Sequence, residues 1–184
     1  MNPKYKHFLL LPFFVLLQFN LAIASDVPDG LTLDSGIREL FLNKSKEEIL
    51  KKYPDRAKIK YIPTEGETIT AIDFSLYGSE LTFLLDNNKV DRIDAASPVY
   101  VTKDGGRVGD SLKKVISAHR NGKFYAGIAH MEPSANYQID GGTVVFSINT
   151  KDIPIKRFES RRVKISDKDV QDCLIDLIIV RNKI

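Results

Sequence analysis

The sequence predicts an α+β protein, in which two helix-plus-antiparallel-strand repeats form one sheet with the helices packed on one face. Three observations indicate this class: a short helix with clear start and stop signals, strand-length segments separated by turns after it, and the same order again after residue 98. Helices kept to one side of an antiparallel sheet define the α+β class. We expect repeat one at about residues 31–96 and repeat two at about 99–184.

Residues 1–24 have the order of a secretory signal peptide. Lys4 and Lys6 precede an apolar run from Phe8 to Leu17, and Ala22-Ile23-Ala24 comes just before the polar Ser25. Charged, apolar and small residues in this order are typical of a cleaved leader, and the apolar run is shorter than the about 18 residues that span a membrane. We therefore expect cleavage after Ala24, a periplasmic or secreted protein, and no stable membrane anchor.

Removal of this leader changes the charge balance. The full chain of 184 residues has 27 lysines and arginines against 24 aspartates and glutamates. Because the leader contains two lysines and no acid, residues 25–184 have 25 basic and 24 acidic side chains, and the formal charge falls from +3 to +1. A nucleic-acid-binding domain keeps a clear basic excess, so we expect no nucleic-acid partner. A chain of this length suits a single domain at 25–184.

The first predicted helix begins at Ser45. Ser45 and Glu48 have the spacing of a capping box, in which each side chain bonds the other residue's backbone N–H. Pro54 prevents continuation after about two turns. An apolar face lies between them, made by Ile49, Leu50 and Tyr53.

Four predicted strands follow this helix. Alternation with lysines predicts the first strand, and apolar segments bounded by turn residues predict the other three. Turns are expected at Tyr77-Gly78-Ser79 and at Asp86 to Lys89, and Ala96-Ser97-Pro98 separates the repeats. The predicted strands are Ala57 to Tyr61, Ile69 to Leu76, Leu81 to Leu85 and Val90 to Ala95.

The second repeat begins with a helix after Ser111. Its apolar stripe has i, i+3, i+4, i+7 spacing, and Asn121-Gly122 predicts a left-handed cap at its end. Ile49 to Tyr53 corresponds to Val115 to His119, so His119 occupies the position of Tyr53. The stripe consists of Leu112, Val115, Ile116 and His119.

Three strands and one turn are predicted after this helix. The strands are Lys123 to His130, Thr143 to Ile148 and Cys173 to Val180, and the turn is at Gly141-Gly142. Cys173 is the only cysteine, so it has no partner for an intramolecular disulfide. Its apolar, β-branched surroundings predict a buried small side chain, with an intermolecular disulfide or a reactive thiol as alternatives.

This order of elements resembles the β-lactamase-inhibitor-protein-like superfamily of small exported bacterial proteins. The resemblance rests on the helix opening Arg107 to Ile116 and on the strands after it. A weaker similarity is to the envelope-stress-regulated lipoprotein family of unknown function, through Asp91-Arg92-Ile93-Asp94, Val108 to Leu112 and Leu174 to Val180. No cysteine stands at the cleavage point, so the lipid anchor does not transfer. The resemblance implies binding, inhibition or envelope maintenance more than catalysis.

His119 and His130, with Glu132, are the only grouping that has the chemistry of a metal site. Imidazole and carboxylate groups bind zinc, which can activate water. Their spacing matches no recognised ligand frame, so we expect a structural His119 and no metal or other cofactor. The chain has no Gly-x-Ser-x-Gly or Ser-x-x-Lys motif, and Gly105-Gly106 predicts a turn that leads into the helix rather than a phosphate loop.

The segment from Asn149 to Gln171 has no counterpart in the first repeat, where the equivalent strands are joined by a four-residue turn. It contains seven basic and four acidic residues, with apolar side chains among them. Loops of this length are uncommon unless they are functional or disordered. A solvated excursion is one interpretation; a binding segment is the other. The candidate partner-binding residues are Lys156, Arg157, Phe158, Arg161 and Arg162.

These features together predict an exported, non-enzymatic binding or inhibitor-like module of the bacterial envelope. The expected partner is an envelope protein or an anionic envelope polymer, because arginines in the insertion can form forked hydrogen bonds with carboxylates or phosphates. One alternative is a small-ligand-binding periplasmic protein with a cleft between sheet and insertion. A second alternative is a metal-dependent hydrolase that uses His119 and His130.

Overall fold

A computed structural model describes residues 30–64, 66–129, 132–149, 151 and 170–183, with the backbone alone at 126–129 and 132–134. A π-helical turn at Leu33–Ile37 continues into α1 (Arg38–Phe41), and two further helices are α2 (Lys46–Lys52) and α3 (Leu112–Ala118). The strands are β1 (Ala57–Pro63), β2 (Thr68–Leu76), β3 (Ser79–Asp86), β4 (Lys89–Ala95), β5 (Lys123–Ala129), β6 (Glu132–Ile139), β7 (Val144–Ile148) and β8 (Ile175–Arg181).

The eight strands of the described residues belong to one antiparallel sheet with the order β1-β2-β3-β4-β8-β7-β6-β5. Four consecutive strands form each side of the sheet, and the two sides meet where β4 pairs with β8. The α+β class predicted from the sequence is therefore confirmed. The central pairing brings together strands that are far apart in the chain, with Arg92 opposite Arg181 and Ala95 opposite Ile178.

Helix α2 begins and ends as its sequence signals predict. Ser45 accepts a hydrogen bond from Glu48 N at 3.2 Å, and the Glu48 carboxylate accepts one from Ser45 N at 2.8 Å. This capping box lowers the pKa of Glu48 below its ordinary value, because a backbone N–H stabilises the ionised carboxylate. Glu48 therefore stays ionised at the positive end of the helix.

One face of the sheet forms the hydrophobic core with the helices. Side chains alternate along a strand, so the paired residues Phe74 and Leu81, and then Ala95 and Ile178, share this face. The Phe41 ring of α1 lies on the sheet, with centroids 4.8 Å from Phe74 and 5.0 Å from Phe83. The helices thus cover one face of the sheet across both of its sides. Their core contributions are Leu33, Ile37, Phe41, Ile49, Leu112 and Val115.

The structure differs from the sequence-based expectation at the π-helical turn that continues into α1, and at β6. Neither element was predicted, because Ser35 and Gly36 weaken the helical pattern and Pro133 argues against a strand. Tertiary burial decides both elements: Leu33 and Ile37 are fully buried at helical spacing, and alternate β6 residues are buried. The buried residues of β6 are Ala135, Tyr137 and Ile139.

Two other local expectations were wrong. The sequence predicts a left-handed cap at Gly122, but α3 ends at Ala118 with His119 as its C-cap, and Gly122 is not among the residues with positive φ. Cys173 was placed in the last strand, but β8 begins at Ile175. Its predicted burial is confirmed, because Cys173 packs in the core beside the start of α3 and Leu112 N donates to its carbonyl at 3.0 Å.

The segment between β4 and α3 is anchored through Tyr100. This side chain is 1% exposed, and its hydroxyl lies 2.8 Å from Leu76 O and 2.9 Å from Ser79 O, the carbonyls that flank the β2–β3 turn. Burial raises the pKa of Tyr100, so the hydroxyl remains a donor. Farther along, Gly106 N donates to Thr102 Oγ1 at 3.0 Å, which confirms the turn expected at Gly105-Gly106.

Within the described part of the chain, no helix has both the length and the apolar character needed to cross a membrane.

Candidate binding face

The residues proposed from the sequence for partner binding lie outside the described residues. They are Lys156, Arg157, Phe158, Arg161 and Arg162. The described chain leaves the sheet at Asn149 after β7 and returns at Val170, which is fully buried in the core. The insertion is therefore joined to the sheet beside its central strand β8.

His119 occupies the C-terminal cap of α3, and its side chain is 17% exposed. Its Nε2 lies 2.7 Å from Asp104 Oδ2, but the ring is not aligned for a hydrogen bond. The His119 carbonyl accepts a hydrogen bond from the Tyr137 hydroxyl. The residue therefore packs where α3 meets the sheet, as its apolar stripe predicts.

The grouping of His119 with His130 is not tested, because His130 lies outside the described residues. Among the residues that the structure does describe, no three His, Cys, Asp or Glu side chains are placed to hold a metal ion.

The sheet surface opposite the helices, called the open face below, has no described element on it. Strand alternation and the pairing registers place two rows of side chains across this face. The first row is Lys58, Asp73, Thr82, Asp94, Ile179, Val145, Gln138 and Lys123. The second row is Lys60, Ala71, Leu84, Arg92 and Arg181.

A hydrogen-bonded charge pair lies on the first side of the open face. Lys60 Nζ is 3.2 Å from one carboxylate oxygen of Asp73, and the Thr82 hydroxyl donates to the other at 3.1 Å. The Lys60 side chain is 47% exposed and that of Asp73 18% exposed. Such partly exposed pairs add little stability but hold their side chains in defined positions.

A bidentate ion pair lies on the central strand β4. Arg92 donates to both carboxylate oxygens of Asp94, from Nε at 2.5 Å and from Nη2 at 2.7 Å. Burial raises the pKa of Asp94, while Arg92 opposes this shift by stabilising the ionised carboxylate. The fork geometry therefore fixes the guanidinium plane on the open face.

Arg181 lies directly opposite Arg92 across the central strand pair. Its Nε donates to Gly142 O at 2.8 Å, and no carboxylate of the described residues forms an ion pair with it. Two like charges at paired positions repel each other, and Asp94 already compensates the charge of Arg92. The central strand pair thus carries, at the end of β8, one cation without a carboxylate partner in the described chain.

Apolar side chains flank this charge. Leu84, Leu177 and Ile179 are half-buried, and Tyr125 is 49% exposed near the β5 edge. A surface that combines fixed charges with half-buried apolar side chains suits macromolecular recognition more than chemistry on a small molecule.

This face was not predicted from the sequence, although β4 contains a pattern that indicates part of it. In Asp91-Arg92-Ile93-Asp94, a core-facing Ile93 places Arg92 and Asp94 on the opposite side of the strand. Arg181 lies one residue beyond the predicted end of the last strand, and its position opposite Arg92 follows only from the pairing of β4 with β8.

The comparisons with known proteins concern the fold. No protein-family model matches the sequence, and no curated protein matches it. Among solved structures, the chain is similar to the crystal structure of the uncharacterized protein YfeY from Escherichia coli. The TM-score is 0.51 and the identity 11%, over 76% of this chain and 90% of that chain. At this identity, the chain shares with YfeY a backbone fold.

Proposed function

We propose that this protein is an exported, non-enzymatic binding module of the bacterial envelope, and that it presents the open face to an acidic protein partner. The observation that carries the proposal is Arg181, a cation at the end of the central strand β8 with no carboxylate partner among the described residues. A carboxylate of a partner beside Arg181 would compensate this charge, as Asp94 compensates the charge of Arg92. Export is proposed from the leader-like order of residues 1–24.

The dimensions of the open face support this role. Eight strands spaced about 4.8 Å apart span about 34 Å, and the paired segments are about 20 Å long. The resulting area is on the order of 700 Å², close to the roughly 800 Å² that each partner buries in a standard protein interface.

The insertion is proposed as a second contact region. Because it joins the sheet between β7 and β8, its seven basic and four acidic residues are attached beside the strand that carries Arg181. The proposed contacts there remain Lys156, Arg157, Phe158, Arg161 and Arg162. Loops attached to a rigid sheet are common sites of recognition.

We also infer that the scaffold consists of two α-β repeats, each a seven-residue helix followed by four strands. The support is local geometry. Tyr53 ends α2 at φ −130°, ψ 58°, and His119 ends α3 at φ −127°, ψ 67°. Before the helices, Asn43 N donates to Val90 O at 2.8 Å, and Gly109 N donates to Ile175 O at 2.7 Å.

Asn43 and Gly109, the donors that precede the two helices, share a positive φ, of 64° at Asn43 and 87° at Gly109. The features that differ between the halves are then the candidates for specific roles. These are the insertion after β7 in the second half and helix α1 in the first.

The binding proposal is tested by affinity capture from an envelope extract of the source organism. The immobilised protein, its Arg181→Glu variant and a Lys113→Glu control are compared, and retained proteins are identified by mass spectrometry. Lys113 is exposed on α3, so this control changes the net charge by the same amount as Arg181→Glu, but on the helical side. We expect a protein that the parent and the control retain and that Arg181→Glu loses.

Affinity is then measured with the purified partner. Charge reversal at Arg181 should weaken binding by at least about tenfold, and more at low salt than at high salt. Retention of the same proteins by all three baits would contradict the proposal. A separate charge reversal at Arg157, Arg161 and Arg162 tests whether the insertion contacts the partner. Unchanged affinity at low salt would show that the insertion is a solvated excursion.

A further inference from the structure

An apolar groove lies between α1 and α2 on the helical side of the molecule, away from the open face. It has a volume of about 630 Å³, within the range of roughly 300–1,000 Å³ typical of small-molecule sites. Its floor, called the groove floor below, is made by Leu40, Phe41, Ile49 and Tyr53. Its rim carries Glu39, Lys44, Glu48, Lys51 and Lys52.

The groove floor is preformed. Phe41 and Ile49 are buried, and the Tyr53 ring packs edge-on against Phe74 with centroids 5.3 Å apart. Phe41 and Tyr53 also contact each other, with centroids 5.7 Å apart. Leu40 and Tyr53 are only half-buried, so the floor offers apolar and aromatic surface without rearrangement of the core.

The charges on the rim are divided along α2. Glu48 lies in the first turn and is held by the capping box, with Lys44 among the charges that lower its pKa. Lys51 and Lys52 lie in the last turn, and Lys52 Nζ is 5.2 Å from the centroid of the Tyr53 ring. Lys51 is exposed, and it places a positive charge at the end of the groove beside Tyr53.

The fold itself does not require this opening. On the corresponding side of α3, the backbone turn at Gly105-Gly106 packs directly on the helix: a Cβ added to Gly106 would lie 3.3 Å from Val115 Cγ2 and 3.1 Å from Phe146 Cε1. There, His119 lies against Asp104, whereas Tyr53 in the first half lines open space.

We propose that this groove binds a single-chain anionic amphiphile of the fatty-acid type. The apolar chain lies on the groove floor, and the carboxylate lies beside Lys51 at the end of the groove near Tyr53. An apolar floor gives affinity through buried area, while the exposed Lys51 selects a negative head group. A neutral or cationic head group would lack this attraction.

The test uses dodecanoate below its micelle-forming concentration and isothermal titration calorimetry with the purified protein. We expect saturable binding with one site per chain, and at least about tenfold weaker binding of dodecyltrimethylammonium, which has the same chain and the opposite charge. The Lys51→Glu variant should lose a similar factor for dodecanoate. Lys51 is exposed, so this variant should fold, and circular dichroism checks this.

Matched controls separate this site from the open face. Lys113→Glu and Arg181→Glu should leave dodecanoate binding unchanged, and Leu40→Asp should weaken it by placing a charge on the groove floor. Absence of saturable dodecanoate binding would overturn the proposal. Equal binding of the two amphiphiles, or unchanged binding by the Lys51→Glu variant, would also overturn it. None of these results bears on partner binding by the open face.

Discussion

Gly122 is needed because an aromatic ring lies directly on its backbone. The Tyr137 ring covers Gly122, and the Tyr137 hydroxyl donates to the carbonyl of His119. A Cβ at residue 122 would overlap the ring, and Tyr137 is 2% exposed, so it has little room to move. This close approach, rather than a left-handed cap, explains the glycine after α3.

Gly122→Ala should therefore lower the free energy of unfolding by about 1–3 kcal/mol, the usual cost of overpacking. Urea unfolding followed by circular dichroism measures this change. In a Tyr137→Leu background the same substitution should cost much less, because the overlapping ring is absent. An equal cost in both backgrounds would show that the backbone conformation of Gly122, and not the ring, is responsible.

His119→Ala should lower the free energy of unfolding by about 1–3 kcal/mol, because it truncates a partly buried side chain between α3 and the Asp104 turn. Thermal unfolding and metal analysis are measured on the same samples. A variant that keeps the parental melting temperature but loses stoichiometric zinc would overturn the structural role and favour the hydrolase alternative.

At the scale of elements, α2 and α3 provide a matched pair of helix caps. Ser45 makes a side-chain cap bond in α2, whereas Ser111 precedes α3 with the same extended backbone and no such bond. Ser45→Ala should cost about 1 kcal/mol, while Ser111→Ala should change stability by less than about 0.5 kcal/mol. Chemical denaturation of both variants measures the difference, and equal costs would contradict the capping-box explanation.

The Tyr100 hydroxyl connects the segment after β4 to the β2–β3 hairpin. Tyr100→Phe leaves Leu76 O and Ser79 O without this donor, so it should cost about 1–3 kcal/mol. Tyr125→Phe is the control, because Tyr125 is 49% exposed and should tolerate the change within about 0.5 kcal/mol. Similar melting temperatures for both variants would exclude a role for the buried hydroxyl bond.

Elements with strong local signals were predictable from the sequence, and those that depend on burial were not. The capping box and Pro54 defined α2, and alternating lysines defined β1. In β6 the apolar residues are few and Pro133 interrupts them, so its position between β5 and β7 depends on pairing across the sheet. The open face could not be predicted either, because Arg181 lies opposite Arg92 only through the long-range pairing of β4 with β8.

At the scale of the whole molecule, the proposed export predicts that the functional protein lacks residues 1–24. Mature protein isolated from the envelope or the medium should begin at Ser25, because Ala22 and Ala24 meet the small-residue requirement of signal peptidase. Intact-mass analysis shows whether residues 1–24 have been removed. A mass that includes residues 1–24 would contradict cleavage and would return two lysines to the charge balance.

The α+β class, the helix boundaries at Ser45 and Tyr53, and most of the strands were predictable from local patterns, because periodicity, caps and turn residues are local properties. Tertiary structure alone decided the order of the sheet, with β4 beside β8 at its centre. It also decided which side chains meet on the open face and where α1 leaves a groove. Contacts between residues far apart in the chain arise from the burial of complementary surfaces. A local sequence pattern does not specify which of these surfaces pack together.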